Sequence, residues 1–392
     1  MRKKILIWAL ALAIGAVFAC PAGASLQAEK KSVSTSRAKK KKKGKTASTS
    51  RKTPSRRGKQ RARKAVGLWT EPTFAESTAG DNVDGEDLVV RRAAVEALGP
   101  YNGSVVVVDP NTGRILTMVN QKLALKSGFQ PCSTVKVPVA LAALMEGIID
   151  RETMIRVYGR RRMNLTEALA HSDNSFFANL GVKLGFEKVI YYARLFGLGE
   201  KAGLGIEGEQ PGVLPERPPK NGGVGMMTSF GEGILLTPLE LAALLSAIAN
   251  GGTLYYLQYP RSDGEVANFV PRVKRRLEIR PWLEHIKPGM MAAVEYGTAK
   301  RANYDPREPI LGKTGTCTEN HTHLGWFGSF NDVGRNKLTV VVLLTGGRGV
   351  SGPTAAEIAG GVYKRLSEQQ YFAQSRKLSP AALVSTQSCC WQ

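Results

Sequence analysis

The sequence is poor in the residues and motifs that bind metals and nucleotides. Its 392 residues include 4 histidines and 5 cysteines, and the one grouping of zinc-ligand type is Cys317, His321 and His323. Three such residues on one predicted loop are a weak signal for zinc. No glycine-rich phosphate loop follows a predicted strand, and "GGVGMMTSFGEG" fits no nucleotide fingerprint. We therefore expect neither a metal site nor a cofactor.

Acidic residues are also scarce: 32 Asp and Glu stand against 55 Lys and Arg, giving a net charge of +23. The imbalance is concentrated in residues 29–64, which hold 17 basic residues and one acid. Residues 25–68 have almost no apolar content, and such a segment cannot bury enough surface to offset its ordering entropy. We interpret it as a basic disordered linker. Its charge suits an anionic membrane or wall polymers, or it is a solvated spacer; charge alone does not choose between these.

No apolar run is long enough to span a bilayer comfortably, which takes about 20 residues. The N-terminus has a basic start, a 15-residue apolar run from Ile5 to Ala19, and then small residues. This layout is typical of a secretory signal peptide, which we place at residues 1–24. An uncleaved anchor, or lipidation at Cys20, stays open. Each of the three predicts export to a periplasmic or extracytoplasmic location, where disulfides are permitted and nucleic-acid binding is not expected.

The remaining sequence predicts an α+β domain. "GSVVVVDPNTGRILTMVN" predicts a hairpin, and "ILGKTGTCT", "HLGWFGSF" and "KLTVVVLLTGG" predict three successive strands. "GEDLVVRRAAVEALG", "TPLELAALLSAIANGG" and "PTAAEIAGGVYKRLSE" predict helices. This order indicates one antiparallel sheet covered by terminal helices, with an inserted helical subdomain. We place the domain at residues 85–372 and a C-terminal tail at residues 373–392.

One short motif carries chemistry at a predicted helix start. In "PCSTVKVP", Ser133 and Lys136 are one helical turn apart and therefore share a face. Serine is a poor nucleophile unless a base takes its proton, and a lysine kept partly neutral by burial can be that base. The helix start also supplies unpaired backbone N–H groups that suit an oxyanion. Alone, the spacing is a weak signal, because Ser36 and Lys39 in the linker show it too.

Two further motifs follow in order: Ser172-Asp173-Asn174 at a polar break between helices, and Lys313-Thr314-Gly315-Thr316 on a predicted strand. This trio is typical of class A β-lactamases and penicillin-binding proteins. The sequence resembles the transpeptidase domain of penicillin-binding proteins over roughly residues 85–372. The resemblance implies the fold of that superfamily, a five-stranded antiparallel sheet flanked by helices.

The resemblance also implies catalytic roles. Ser133 is expected to attack the carbonyl between two D-alanines of a peptidoglycan stem peptide, with Lys136 as its base. Ser172 is expected to relay a proton to the departing amine, and Lys313 to supply positive charge nearby. β-Lactams are expected to acylate the same serine.

The same comparison implies substrate-binding roles. Asn174 is expected to hold the substrate backbone, and Thr314 and Thr316 to bind its terminal carboxylate. The backbone N–H groups of Ser133 and Thr316 are expected to form the oxyanion hole. Gly315 is expected to leave room for a substrate lying along the strand.

Two cysteines flank these motifs. Cys132 precedes the expected nucleophile and Cys317 follows Thr316, positions that resemble a bridge found in some carbapenem-hydrolysing class A β-lactamases. If one oxyanion binds both N–H groups, the neighbouring cysteines lie within disulfide range. We hypothesise a Cys132–Cys317 disulfide that braces the oxyanion hole; the alternative is two small buried thiols. Cys389 and Cys390, in the polar tail, are interpreted as free or intermolecular thiols.

Other activities stay open beside transpeptidation. Hydrolysis of the acyl-enzyme would make the protein a D,D-carboxypeptidase, and rapid hydrolysis a β-lactamase or β-lactam sensor. Class A enzymes activate water with a glutamate that lies four residues before an asparagine. This sequence does not match that spacing, because Glu216 lies five residues before Asn221. Asn174 stands where class D enzymes have an apolar residue. A catalytically idle cell-wall scaffold would not need to keep Ser133 and Lys136 beside two further intact motifs.

Overall fold

The computed structural model describes residues 69–332 and 336–373. The predicted signal peptide and basic linker, and residues 374–392 of the predicted tail, lie outside the described residues. So do Cys20, Cys389 and Cys390. Within the described ranges, no helix has the length and apolar character needed to cross a membrane.

The helices are α1 Leu88–Leu98, α2 Gln121–Ala124, α3 Lys136–Met145, α4 Leu165–Ala170, α5 Asn174–Leu184, α6 Phe186–Leu195, α7 Gly223–Phe230, α8 Pro238–Asn250, α9 Asp263–Ala267, α10 Leu283–Glu295 and α11 Gly352–Glu368. The strands are β1 Gly103–Val108, β2 Ile115–Val119, β3 Ile155–Tyr158, β4 Arg161–Met163, β5 Thr253–Tyr255, β6 Val273–Arg276, β7 Ile310–Glu319, β8 Thr322–Asn331 and β9 Thr339–Gly346. Short 3-10 helices lie at Cys132–Val135, Arg280–Trp282 and Lys300–Ala302.

A five-stranded antiparallel sheet in the order β2-β1-β9-β8-β7 organises the domain, which confirms the predicted architecture. The predicted hairpin is β1–β2, and the three predicted late strands are β7, β8 and β9. Among the described strands, β7 pairs only with β8, so it forms an edge of this sheet. An edge strand presents backbone N–H and C=O groups that can pair with an extended chain.

Apolar side chains from β1 alternate between two cores. Val105 and Val107 pack in the core that contains residues of α1 and α11, whereas Val106 and Val108 pack in the core of α3 and α8. A strand covered on both faces reads as an uninterrupted apolar run, which explains "SVVVV". Helices on both faces therefore hold the sheet, and with it the edge strand β7, in place.

The segment 69–84, which lies between the predicted linker and the predicted domain, packs on the domain. Phe74 forms an isolated β-bridge with Tyr101. Asp81 pairs with Arg91 of α1 at 2.7 Å. The rings of Phe74 and Tyr101 also lie 5.5 Å apart, but polar residues predominate in the segment, so it has no apolar periodicity by which it could be detected from the sequence.

The inserted subdomain is helical, as predicted, and α4 and α5 flank the expected polar break. Asn174, assigned to the break, is the first residue of α5, and Asp173 caps this helix by accepting the Phe176 N–H at 2.8 Å. The small hairpin β3–β4 and the two-stranded sheet of β5 and β6 were not predicted. Arginines occupy much of both, and they hide the alternating apolar pattern of a strand.

Candidate active site

Ser133 lies in the 3-10 helix Cys132–Val135, which runs directly into α3. Thr134 closes this turn by donating its Oγ1–H to the Pro131 carbonyl at 2.7 Å. Cys132 has φ of 52°, a left-handed conformation that costs a non-glycine residue about 1–2 kcal/mol. The Ser133 side chain is partly exposed and hydrogen bonds to no described residue. The turn therefore presents a free hydroxyl at the start of a buried helix.

Lys136 is fully buried, and its ammonium group contacts the Ser172 turn. Its Nζ donates to the Ser172 carbonyl at 2.7 Å, to Ser172 Oγ at 3.0 Å and to Asn174 Oδ1 at 2.6 Å. Phe177 covers the group, with its ring centroid 5.5 Å from Nζ. Three acceptors match the three N–H groups of a protonated lysine. When the proton is lost, one of these bonds is lost with it and a lone pair becomes available.

Lys136 changes between its protonated and neutral forms near neutral pH. Burial lowers the pKa of Lys136 to about 7, and the negative charge of Asp173 opposes part of this decrease. Lys136 is thus neutral in roughly half of the molecules at pH 7, where an exposed lysine would be almost fully charged. A base that is free half of the time, one turn from a serine, can accept the proton of that serine.

The backbone of Ser172 brings its side chain to Lys136. Ser172 has φ of 56° between α4 and α5, a left-handed turn that directs both its carbonyl and its hydroxyl towards the lysine. The structure therefore joins the first two sequence motifs through direct hydrogen bonds. The third motif, on β7, approaches from the other side.

Lys313 on β7 is also buried, with 1% of its surface exposed. Burial lowers the pKa of Lys313 well below its ordinary value, and repulsion from Lys136 adds to the decrease. Its Nζ donates to the Thr314 carbonyl at 3.0 Å rather than to Ser172, and it forms no ion pair with a described carboxylate. No described carboxylate therefore balances the positive charge expected at Lys313. An anionic ligand bound beside Lys313 would favour its protonated form.

The two threonines of this motif contact neighbouring elements. The Oγ1 atoms of Thr314 and Thr298 lie 2.6 Å apart. Thr316 is exposed, and its Oγ1 accepts the N–H of Gly352, the first residue of α11, at 2.7 Å. The positive end of the α11 dipole is thus adjacent to both threonines, which favours a carboxylate there.

Gly315 has a packing role in addition to the expected one, which stays a prediction. A Cβ atom at this position would lie 2.9 Å from the Pro131 carbonyl oxygen and 3.2 Å from Thr134 Cγ2. The absent side chain allows β7 to pack against the Ser133 turn. Glycine here sets the distance between nucleophile and strand, rather than only leaving room for a substrate.

The structure also pairs Cys132 with Cys317, with Cα atoms 5.5 Å apart across 185 residues of sequence. This pairing connects the Ser133 turn to the end of β7 next to Thr316. Paired in this way, Cys317 has no free thiolate to offer a zinc ion together with His321 and His323. His323 instead lies 2.9 Å from Thr318 Oγ1 through its Nδ1 atom, and its ring stacks on Trp69 at 4.2 Å.

Several residues at the site were missed by sequence reasoning. Asp173, Phe177 and Thr298 contact or tune motif residues, and Gly352 binds one through its backbone. Thr298 follows "EYG" in a segment that the family resemblance included, but no single residue there stood out. Asp173 lies inside the second motif and Phe177 shortly after it, but neither had been given a role there; Gly352 is brought to the site only by the tertiary fold.

The near-miss glutamate of a β-lactamase does not join the site. Glu216 is exposed in the loop before α7, and it hydrogen bonds to neither Ser133 nor Lys136. No carboxylate among the described residues hydrogen bonds to the Ser133 hydroxyl. The described site thus presents a lysine base with serine and amide partners.

The sequence as a whole was then compared with known proteins. A family model described as "Penicillin binding protein transpeptidase domain" matches residues 103–364. The chain belongs to this family. The match covers more than half of the chain and includes all three motifs.

Among curated relatives of this chain, stage V sporulation protein D of Bacillus subtilis (strain 168) is 26% identical over 309 residues, covering 68% of this chain and 48% of that protein. Peptidoglycan D,D-transpeptidase FtsI of Escherichia coli (strain K12) is 26% identical over 311 residues, covering 68% and 52%. The chain spans about half the length of these relatives.

Among solved structures, the D,D-transpeptidase domain of a peptidoglycan glycosyltransferase from Eggerthella lenta superposes with a TM-score of 0.60 at 21% identity. The superposition covers 72% of this chain and 81% of that one. At this identity the likeness establishes the fold alone, and it confirms the fold implied by the three motifs.

Proposed function

We propose that this penicillin-binding transpeptidase is a peptidoglycan D,D-transpeptidase that works through an acyl-enzyme on Ser133 and is also acylated by β-lactams. The proposal is carried by one observation: Lys136, one turn from Ser133, has a pKa of about 7 and hydrogen bonds to Ser172 and Asn174. The name of the Escherichia coli relative, a peptidoglycan D,D-transpeptidase, supports peptidoglycan as the substrate class, and the family resemblance implies a stem peptide ending in D-Ala-D-Ala.

In the acylation step, neutral Lys136 takes the proton of Ser133 as Oγ attacks the carbonyl between the two D-alanines. The backbone N–H groups of Ser133 and Thr316 bind the oxyanion. When the peptide C–N bond breaks, the proton passes from Lys136 through Ser172 Oγ to the nitrogen of the departing D-alanine. The 3.0 Å hydrogen bond between Lys136 Nζ and Ser172 Oγ supports this route.

The substrate is proposed to bind along the open edge of β7. Its backbone pairs with the strand by β-augmentation, and Asn174 binds it from the helical side. Its terminal carboxylate lies by Thr314 and Thr316, where the start of α11 and a protonated Lys313 both favour negative charge.

In the second half-reaction, an amine from a neighbouring stem peptide attacks the ester carbonyl. Lys136 now accepts the proton of the amine and returns it to Ser133 Oγ as the C–O bond breaks. A new amide cross-link forms, and the serine is regenerated. The amine thus takes the place that water would have in hydrolysis of the acyl-enzyme.

A Cys132–Cys317 disulfide is part of the proposal, because it would fix the Ser133 turn against the strand that carries the other oxyanion-hole N–H. Such a bond forms in an oxidising compartment. We therefore place the domain outside the cytoplasm, exported by residues 1–24, with residues 25–68 as a linker that contacts anionic membrane or wall polymers.

The test uses the full chain with a donor peptide ending in D-Ala-D-Ala and an acceptor bearing a free amine. Mass spectrometry should detect released D-alanine and the cross-linked dimer, and Ser133→Ala should abolish both. Hydrolysed donor without any dimer would identify a carboxypeptidase instead. Intact donor with the unmodified chain would contradict the proposal.

A further inference from the structure

The hairpin β3–β4 carries a cluster of positive charge that no described carboxylate neutralises, although Arg156 Nε donates to the Gly159 carbonyl of the same hairpin. Arg156, Arg160, Arg161 and Arg162 are all exposed, and none forms an ion pair with a described residue. Tyr158, on the same hairpin, is 84% exposed. We refer to residues 156–162 as the arginine hairpin.

This arrangement is unfavourable without a ligand. Arg156 and Arg162 are direct cross-strand partners in the β3–β4 register. Like charges directly opposite each other destabilise a strand pair, and a two-stranded sheet is only marginally stable. An anion bound between the two guanidinium groups would remove the repulsion, because each can bind a carboxylate with two parallel hydrogen bonds.

The arginine hairpin belongs to the helical side of the active site. It lies in sequence between α3, which starts at Lys136, and α4, which ends two residues before Ser172. Asn179 of α5 donates to the Arg156 carbonyl at 3.4 Å. Since α5 starts at Asn174, the contact lies about 7.5 Å along the helix from this site residue.

We propose that the arginine hairpin binds the peptidoglycan strand whose stem peptide is processed at Ser133. The inference rests on the proposed function and adds a second contact for the polymer outside the catalytic site. Stem peptides carry carboxylates, which match the guanidinium groups, and glycan rings have apolar faces, which match the exposed ring of Tyr158.

The experiment compares two triple variants of the full chain with equal charge loss. One is Arg160→Gln, Arg161→Gln, Arg162→Gln. The matched control is Arg92→Gln, Arg272→Gln, Arg276→Gln, which removes exposed arginines from other elements. Both carry the basic linker, so its background binding is constant. Co-sedimentation is measured with purified peptidoglycan freed of phosphate polymers, at low and high salt, and thermal melting verifies folding.

We expect the hairpin variant to bind peptidoglycan about tenfold more weakly at low salt, and salt to remove most of the difference. The control should bind as the unmodified chain does. Equal binding by both variants, or equal loss in both, would overturn the proposal. A hairpin-dependent loss seen only with vesicles of anionic phospholipid would also overturn it, in favour of a membrane contact. Failure of the proposed function is distinguishable, since the unmodified chain would then release no D-alanine from the donor peptide and form no cross-linked dimer.

Discussion

The clearest quantitative consequence of the site concerns the pH dependence of acylation. With a pKa of about 7, Lys136 is neutral in about one molecule in eleven at pH 6 and in about ten of eleven at pH 8. If neutral Lys136 is the base, the acylation rate should rise about tenfold between these pH values and then level off. A lysine at the ordinary value of 10.5 would be neutral in only about one molecule in three thousand at pH 7.

The assay is the second-order rate of acylation by a fluorescent penicillin, followed by stopped flow from about pH 5.5 to pH 9. Asp173→Asn is the matched variant, because Asp173 raises the pKa of Lys136 and asparagine remains a good helix cap. The midpoint should move to lower pH in this variant. A rate that is flat between pH 6 and pH 8, or a midpoint unmoved by Asp173→Asn, would refute the reasoning.

Three further predictions concern the structure around the nucleophile. Between about pH 7 and pH 10.5 the folded chain binds fewer protons at Lys136 than the unfolded chain, so the free energy of unfolding should rise with pH in this range. The melting temperature of Lys136→Met should therefore rise less with pH than that of the unmodified chain. An equal rise in both would count against the burial of a neutral Lys136. Gly315→Ala should lower the free energy of unfolding by about 1–3 kcal/mol, because its Cβ meets the Pro131 carbonyl; unchanged denaturant unfolding would be the contrary result. Reductant should destabilise the chain by about 2–4 kcal/mol through the Cys132–Cys317 bond, whereas Cys132→Ala, Cys317→Ala should not respond to it.

The antiparallel sheet could be predicted from the sequence because each strand has a strong local signal, whereas the strand order was not predicted. The run "SVVVV" before a turn at Asp109, and three apolar strands late in the chain, leave few arrangements other than an antiparallel sheet. The helical cores were similarly visible in α1, α8 and α11. The segment 69–84 and the hairpin β3–β4 were not, because polar and charged residues hold them and periodicity detects only apolar faces.

The motifs predicted which residues to examine, but not how they contact one another. The bond from Lys136 to Ser172 depends on a left-handed backbone at Ser172, and the sequence around it carries no glycine that would announce one. The contact of Gly352 with Thr316 joins residues 36 positions apart. The packing role of Gly315 depends on Pro131, which only the tertiary fold brings close.

The central claim is that Ser133 is the nucleophile of a penicillin-binding transpeptidase. Intact-protein mass spectrometry after incubation with a penicillin tests it most directly, followed by peptide mapping of the modified residue. We predict a persistent mass increase of one β-lactam, located on Ser133 and absent from Ser133→Ala. Labelling at another residue, labelling that survives Ser133→Ala, or no adduct on the folded chain would contradict the account.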